Sequence, residues 1–462
     1  MIIQAPNAPE PDMPVRLPKP ITLKKKLLFS GVVVLTIYLT TELIALAVLC
    51  WQHRTWSSVH TERQRIAARD PFLAPHGLSQ EVMIHPFVGY VLQPKSEPER
   101  DDRLAEAQKK FEITEFGFHD NQPPIHKRSE DRTIVGILGG SVAMQLAVNA
   151  TVVFEQEFAS LHGLQGKRFE FVRLGVSGFK QPQQLMTLNY LMSLGAEFDI
   201  VINLDGANEA ALPLHDNVRY GVNAAFPRQW SSLLAVRGNA EAARRVGYVS
   251  YLRQVQRERA TQFGNVWLGH SPLATLIWKV LYNRSAAQIR DQTTRIAEQS
   301  TQELSFAASG PKEVFESDDR TFEHCVELWT HSSILLARLC ASHGIRYFHF
   351  LQPNQYLSGS KPMGEAETQF ATNNVSIFHV PIERCYPKMR ANADRLRRAG
   401  VSFGDLTQVF ADSPEPLYID DCCHVNDAGD RIIANAIARH IRAAWNQSTD
   451  IPNVRSPIEV NR

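Results

Sequence analysis

The chain is poor in clustered charge. Its 49 Lys and Arg nearly balance 48 Asp and Glu, for a formal net charge of +1. The one basic run is Lys24-Lys25-Lys26, so nothing supports a nucleic-acid partner. Cysteine is scarce, with six in 462 residues. Cys50, Cys325, Cys340, Cys385, Cys422 and Cys423 lack the spacing of a zinc site or a small disulfide scaffold. The vicinal pair Cys422-Cys423 reads as packing rather than a redox device, while Cys325, Cys340 and Cys385 are candidates for pairing in an oxidising compartment. His85, His119 and His126 fit no metal-ligand spacing. No metal and no cofactor is expected, and no internal repeat is visible.

What is present is an ordinary globular composition, 44% hydrophobic and 21% charged, with length enough for a large core. One exception is residues 27–50, an apolar run with a single charge, Glu42. It is long enough to cross about 30 Å of hydrocarbon. No small-residue cleavage pattern follows, so the segment reads as an uncleaved anchor. The lysine cluster abuts its start, with Arg54, Arg63, Arg65 and Arg69 beyond its end. The tight cluster predicts a cytoplasmic N-terminus in the inner (plasma) membrane, with the bulk of the chain periplasmic or extracellular. Glu42 is costly in lipid and is expected toward the outer half or facing a partner helix.

The rest divides by pattern. Residues 1–26 are proline-rich and read as a tail. Residues 52–130 read as a stalk (helical over 57–69) and an extension, with extended pieces at 83–92 and 111–118. Short, largely apolar runs at 133–138, 169–176, 199–204 and 347–351, the first of them β-branched, predict buried strands. A fifth, at 403–410, reads as strand or loop. Helical stretches at 142–162, 181–194, 322–342, 382–398 and 427–445 alternate with them. Such alternation predicts an α/β fold, a three-layer α/β/α domain over 131–446 with a five-stranded parallel sheet, flavodoxin-like. Residues 211–318 interrupt it as a helical insertion, with helices at 240–262 and 272–299. Trp230, Trp267 and Trp278 within it read as packing rather than as sugar-stacking platforms. Residues 447–462 read as a loose tail.

Four motifs fall at predicted strand ends: Gly139-Gly140-Ser141, Gly175-Val-Ser-Gly178, Gly206-Ala-Asn208 and Asp421-Cys-Cys-His424. In an open parallel sheet, ligands bind beyond the carboxyl ends of the strands. Taken singly, Ser141 would be an N-cap, Gly178 a turn and Asn208 an Asx cap. Taken together they are a hydrolase's parts. Ser141 is the candidate nucleophile and also offers its own N–H to an oxyanion. Gly178 lets a backbone N–H approach a ligand, and Asn208 adds a side-chain amide donor. His424 is the candidate general base, with Asp421 fixing its tautomer. Asp420 is the competing orienter, and the three-residue spacing favours Asp421. Gln352, at the end of the fourth strand, is a possible substrate contact.

These blocks resemble the SGNH, or GDSL-type, hydrolases, over residues 131–210 and 344–445. The layout of an anchor, His85-Pro-Phe-Val-Gly-Tyr90, Gly117-Phe118 and the first block looks like membrane-anchored bacterial members. The resemblance implies a serine esterase that works through an acyl-enzyme, with Ser141, Gly178, Asn208 and Asp421 with His424 in the family's block positions. Three positions depart from the pattern. Gly140 stands where aspartate is usual, Arg173 where asparagine is common, and Glu209 where aspartate follows the block-three asparagine. The expected substrate is an acylated envelope polysaccharide or a small ester. Two alternatives stand beside this: an O-acyltransferase in polysaccharide modification, and a catalytically inactive SGNH-like binding or scaffold protein.

Overall fold

The structure, a computed structural model, describes residues 22–53, 82–94, 112–234, 240–263, 268–302 and 305–447. The expected stalk helix at 57–69, Trp267, most of 94–110, residues 1–21 and residues 448–462 lie outside the described residues, and residues 23–26 of the expected tail open the first helix. The chain forms two compact units. One holds the N-terminal helix with residues 263–279, and the other holds the remainder.

In the first unit the helix Leu23–His53 contains a span, Leu23–Trp51, long and apolar enough to cross a membrane. Its acidic residue is not left bare. The Glu42 carboxylate accepts from the Ser271 hydroxyl (2.6 Å) and the Leu273 backbone N–H (3.0 Å). Ser271 also accepts from Ala274 N–H (3.0 Å), capping the helix Pro272–Gln302. Glu42 therefore faces a partner helix, one of its two expected settings. It sits where the first N–H groups of that helix have no intrahelical acceptor. Ala45 and Leu49, both buried, share its face of the helix.

In the second unit five parallel strands form one sheet in the order β4-β3-β5-β6-β7. They are β3 (Arg132–Gly139), β4 (Arg168–Arg173), β5 (Ile200–Asp205), β6 (Arg346–Leu351) and β7 (Ser402–Asp405). Every residue of β5 is buried, and all of β3 after its first residue. That is why these strands read as continuous apolar runs rather than alternating ones. The chain leaves β3 for β4 and then returns to β5 on the other side. This reversal opens a crevice at the carboxyl ends of β3 and β5. A small antiparallel hairpin, β1 (Val82–His85) with β2 (Gly89–Leu92), precedes the sheet. The second extended piece meets it through Leu92 N–H to Gly117 O (3.0 Å).

Two groups of helices pack on the sheet. Ser141–Asn149, Thr151–Phe158 and Asp427–Gln447 contact one another, and Gln183–Ser193 and His379–Ala391 each pack on Asp318–Ser342. Among the described residues no strand falls between β5 and β6. Helices Ala240–Phe263 and Pro272–Gln302 occupy that stretch. Trp278 is buried, and Trp230 donates its indole N–H to Ala307 O (2.8 Å).

Some boundaries differ from the sequence reading. The helix expected over 142–162 is two, broken at Ala150 (φ −126°, ψ 8°). There the Asn149 amide turns to the Asp430 carboxylate (2.8 Å), and a β-branched run, Thr151-Val152-Val153, follows. The helix expected over 382–398 is also two, His379–Ala391 and Ala393–Arg398. The helix expected from 322 begins at Asp318, with Ser317 accepting from Arg320 N–H at its N-cap. β7 is a strand over 402–405 only.

Candidate active site

Ser141 follows the two glycines that close β3 and opens the helix Ser141–Asn149, so its own N–H lies in the unpaired first turn. Its side chain is 6% exposed. Ser141 Oγ lies 2.7 Å from His424 Nε2. One helical turn on, Gln145 Nε2 donates to Val425 O (2.6 Å), tying the serine helix to the histidine loop.

That loop is a closed structure. Tyr418 pairs with Val425, Ile419 N–H donates to His424 O (3.0 Å), and Asn426 N–H donates to Leu417 O (2.9 Å). Beneath it, Glu367 Oε1 accepts from Leu417 and Tyr418 N–H (2.8 Å each). The other Glu367 oxygen takes Lys361 Nζ (2.8 Å) in a fully buried ion pair. The histidine is thus carried on an irregular segment whose base is pinned by a charge pair that solvent does not reach.

The residue bonded to His424 Nδ1 is Asp420, through its Oδ2. This corrects the expectation that Asp421 holds the ring. The reason is local. Asp420 Oδ1 accepts from the backbone N–H groups of Cys422, Cys423 and His424 (2.9, 3.0 and 3.2 Å). That turn brings the ring back over Asp420. Asp421 points away, its carboxylate accepting from Asn373 Nδ2 (3.0 Å) and its carbonyl from Tyr356 OH (2.8 Å) and Ser376 OH (3.0 Å).

The electrostatics follow the pairing. Burial disfavours the imidazolium, but the Asp420 charge outweighs it and holds the His424 pKa well above the ordinary imidazole value. Burial would raise the Asp420 carboxyl. The imidazolium and the loop N–H groups reverse that and hold it below the usual carboxylate range.

The expected oxyanion donors lie beside the serine. Asn208, in the first turn of the helix Ala207–Leu212, donates one amide N–H to Phe179 O (2.8 Å). A Cβ on Gly140 would sit 2.3 Å from that same nitrogen and 3.3 Å from Phe179 O. Position 140 must therefore lack a side chain, and the 178–179 turn, the Asn208 amide and the serine turn meet at one point. Asn208 keeps its second N–H. Gly178 has φ +76°, and a Cβ there would meet Arg228 Cδ at 2.3 Å and the Tyr90 hydroxyl at 2.9 Å. Glycine is required on both counts.

Gln352 is buried just past the end of β6, its side chain beside the Cys423 thiol. No hydrogen bond links it to Ser141, His424 or Asp420. Cys422 and Cys423 are free thiols with sulfurs 2.9 Å apart. With a His424 ring nitrogen their ligand atoms lie within 4.8 Å of one another, a set that could hold a metal ion. Both His424 nitrogens are already engaged, so a metal there would displace Ser141 or Asp420. His85 Nδ1 accepts from Phe87 and Val88 N–H (3.3 and 3.2 Å), closing the turn between β1 and β2.

The sequence reading placed Asp420 second and passed over two features, Arg228 and a core relay. Asp420 carried a signal, since Asp-x-x-x-His also reaches its histidine when the intervening N–H groups wrap the carboxylate. Arg228, beside Gly178, carried none. Nor did a second Ser–His–Asp relay in the core, Ser333–His349–Asp205. There Ser333 Oγ lies 2.7 Å from His349 Nδ1, and His349 Nε2 2.8 Å from Asp205 Oδ1. Compared with protein-family models and with curated proteins, the chain matches none.

Proposed function

We propose that this protein is a membrane-anchored serine esterase of SGNH type, with a three-layer α/β/α catalytic domain outside the cytoplasm. The observation that carries the reading is the Ser141–His424–Asp420 chain, at 2.7 Å between Oγ and Nε2, set beside the Asn208 amide. Ser141 Oγ attacks an ester carbonyl and His424 Nε2 takes its proton. Asp420 holds the Nδ1 proton and the ring's orientation. The negative charge on the carbonyl oxygen is met by the N–H groups of Ser141 and Gly178 and by the second amide N–H of Asn208. Collapse expels the alcohol, which takes the proton from His424 and leaves an acyl-enzyme. Water, deprotonated by the same histidine, releases the acid. The substrate class is an O-acyl ester on a cell-envelope polysaccharide or a related molecule. The lysine cluster before the anchor supports the outward placement.

The test is labelling of the full chain in detergent with a fluorophosphonate. Wild type is expected to label and Ser141→Ala is not. Failure of folded wild type to label would remove the esterase reading.

A further inference from the structure

The crevice has a cation at its edge that the ester chemistry does not use. Arg228 lies against the turn that carries the Gly178 N–H, its Nη1 3.1 Å from where a Gly178 Cβ would stand. Its Nε pairs with Asp216 Oδ2 (2.9 Å). Among the described residues neither Nη has a hydrogen-bond acceptor. The side chain is 32% exposed, so a ligand can reach it. Cys422, on the histidine loop, lies within electrostatic range of this guanidinium, with its thiol kept neutral by burial. The cation therefore stands beside the oxyanion turn.

The segment that delivers Arg228 is fixed by buried polar groups. Lys180, two residues after Gly178 and wholly buried, donates Nζ to Ala224 O and Phe226 O (2.6 Å each). Asn217 Nδ2, also buried, lies within reach of the carbonyls of Asn223, Phe226 and Pro227 (3.3, 3.2 and 3.1 Å). Glu313 Oε2 accepts from Ala224 N–H (2.9 Å). Immediately after Arg228, Gln229 has φ +53°, a left-handed conformation that strains a non-glycine residue. A lysine, an asparagine and a strained residue all hold one loop in place, and the loop's product is a partly exposed guanidinium beside the catalytic turn.

We infer that Arg228 is an anion subsite, and that the substrate carries a carboxylate or phosphate close to the scissile ester. With Nε held by Asp216, the two Nη groups present a planar pair of donors suited to two anionic oxygens. The Asp216 pairing fixes the fork in place, so little ordering is left for the ligand to impose. This names the substrate class of the site proposed above and rests on that reading.

The test measures binding in full-length protein carrying Ser141→Ala, so that no ester is consumed. The probes are a polyuronate tetrasaccharide, its carboxyl-reduced neutral counterpart, and the neutral tetrasaccharide bearing one phosphate. The expected result is binding of at least one acidic probe about tenfold or more tighter than the neutral one. The acidic probe preferred tells carboxylate from phosphate. Arg228→Gln is expected to erase the preference, and Arg228→Lys to keep part of it with a steeper loss in salt. Equal affinity for acidic and neutral probes, or an undiminished preference in folded Arg228→Gln, overturns the inference. These outcomes are independent of the fluorophosphonate result. Loss of labelling with Arg228-dependent binding intact overturns the esterase reading alone.

Discussion

The second unit contains two Ser–His–Asp relays, and their surroundings set them apart. Ser141–His424–Asp420 joins two strand-end segments, a helix N-terminus and a loop. Ser333–His349–Asp205 joins a helix to β6 and β5, with its serine, its histidine and its aspartate wholly or almost wholly buried. The distances are nearly the same, 2.7 Å from hydroxyl to imidazole in both. The surroundings are not. Asp205 also accepts from Trp329 Nε1 (2.7 Å), Asn203 Nδ2 (2.7 Å) and Gln181 Nε2 (3.1 Å), so the core relay is one arm of a satisfied network. Ser333 has no glycine turn beside it and lies mid-helix in Asp318–Ser342, where its N–H is used by the helix. The rim relay has free first-turn N–H groups and a spare amide proton. A hydroxyl on an imidazole is therefore not an active site until donors for a developing oxyanion stand beside it.

The largest effects should break the two relays apart. Ser141→Ala and His424→Ala are each expected to abolish ester cleavage, by about 10³-fold or more, with thermal stability near wild type. Ser333→Ala should keep fluorophosphonate labelling. Next, Asp420→Asn should cost on the order of 10³-fold in kcat, while Asp421→Asn, whose carboxylate meets Asn373, should cost less than about tenfold. The reverse order in kinetic assays would restore Asp421 as orienter.

Stability should show the opposite pattern. Asp205→Asn places an amide nitrogen against two donors and is expected to lose about 3–5 kcal/mol in denaturant unfolding. Ser333→Ala, which removes one partner, should lose about 1–3 kcal/mol.

The smallest effect sharpens the rim relay by pH. Asp420 raises the His424 pKa, so the stability this histidine contributes is complete below its unfolded value of about 6.5 and is lost as pH rises through the folded value. Reaction needs the neutral ring, so the labelling rate should climb over the same range in which thermal stability declines. Asp420→Asn should move the rate inflection to lower pH. An inflection at or below about 6.5 in wild type would contradict the pairing.

The sheet was legible because β3, β5 and β6 are buried on both faces and their runs are apolar, β-branched in β3 and β5 and aromatic in β6. The motifs were legible because each sits where a strand must end. What one sequence does not disclose is a choice between neighbours. Asp420 and Asp421 differ only in which carboxylate the loop wraps, and that depends on Asn373, 48 residues away. Arg228 was invisible because its meaning comes from contacts with Gly178 and Asp216. The core relay was invisible because Asp205 and His349 meet only through adjacent strand pairing. Helix breaks were missed where a side chain, Asn149, prefers a tertiary partner.

One consequence concerns the N-terminal helix. Glu42 is a cap for a helix that begins 230 residues later in the chain, so the N-terminal helix is part of a folded unit and not a detachable tether. Proteolytic removal of that helix would strand the Leu273 N–H and the Ser271 hydroxyl and bare the apolar surface around them. A soluble fragment prepared by that cut is expected to self-associate, whatever the state of its serine.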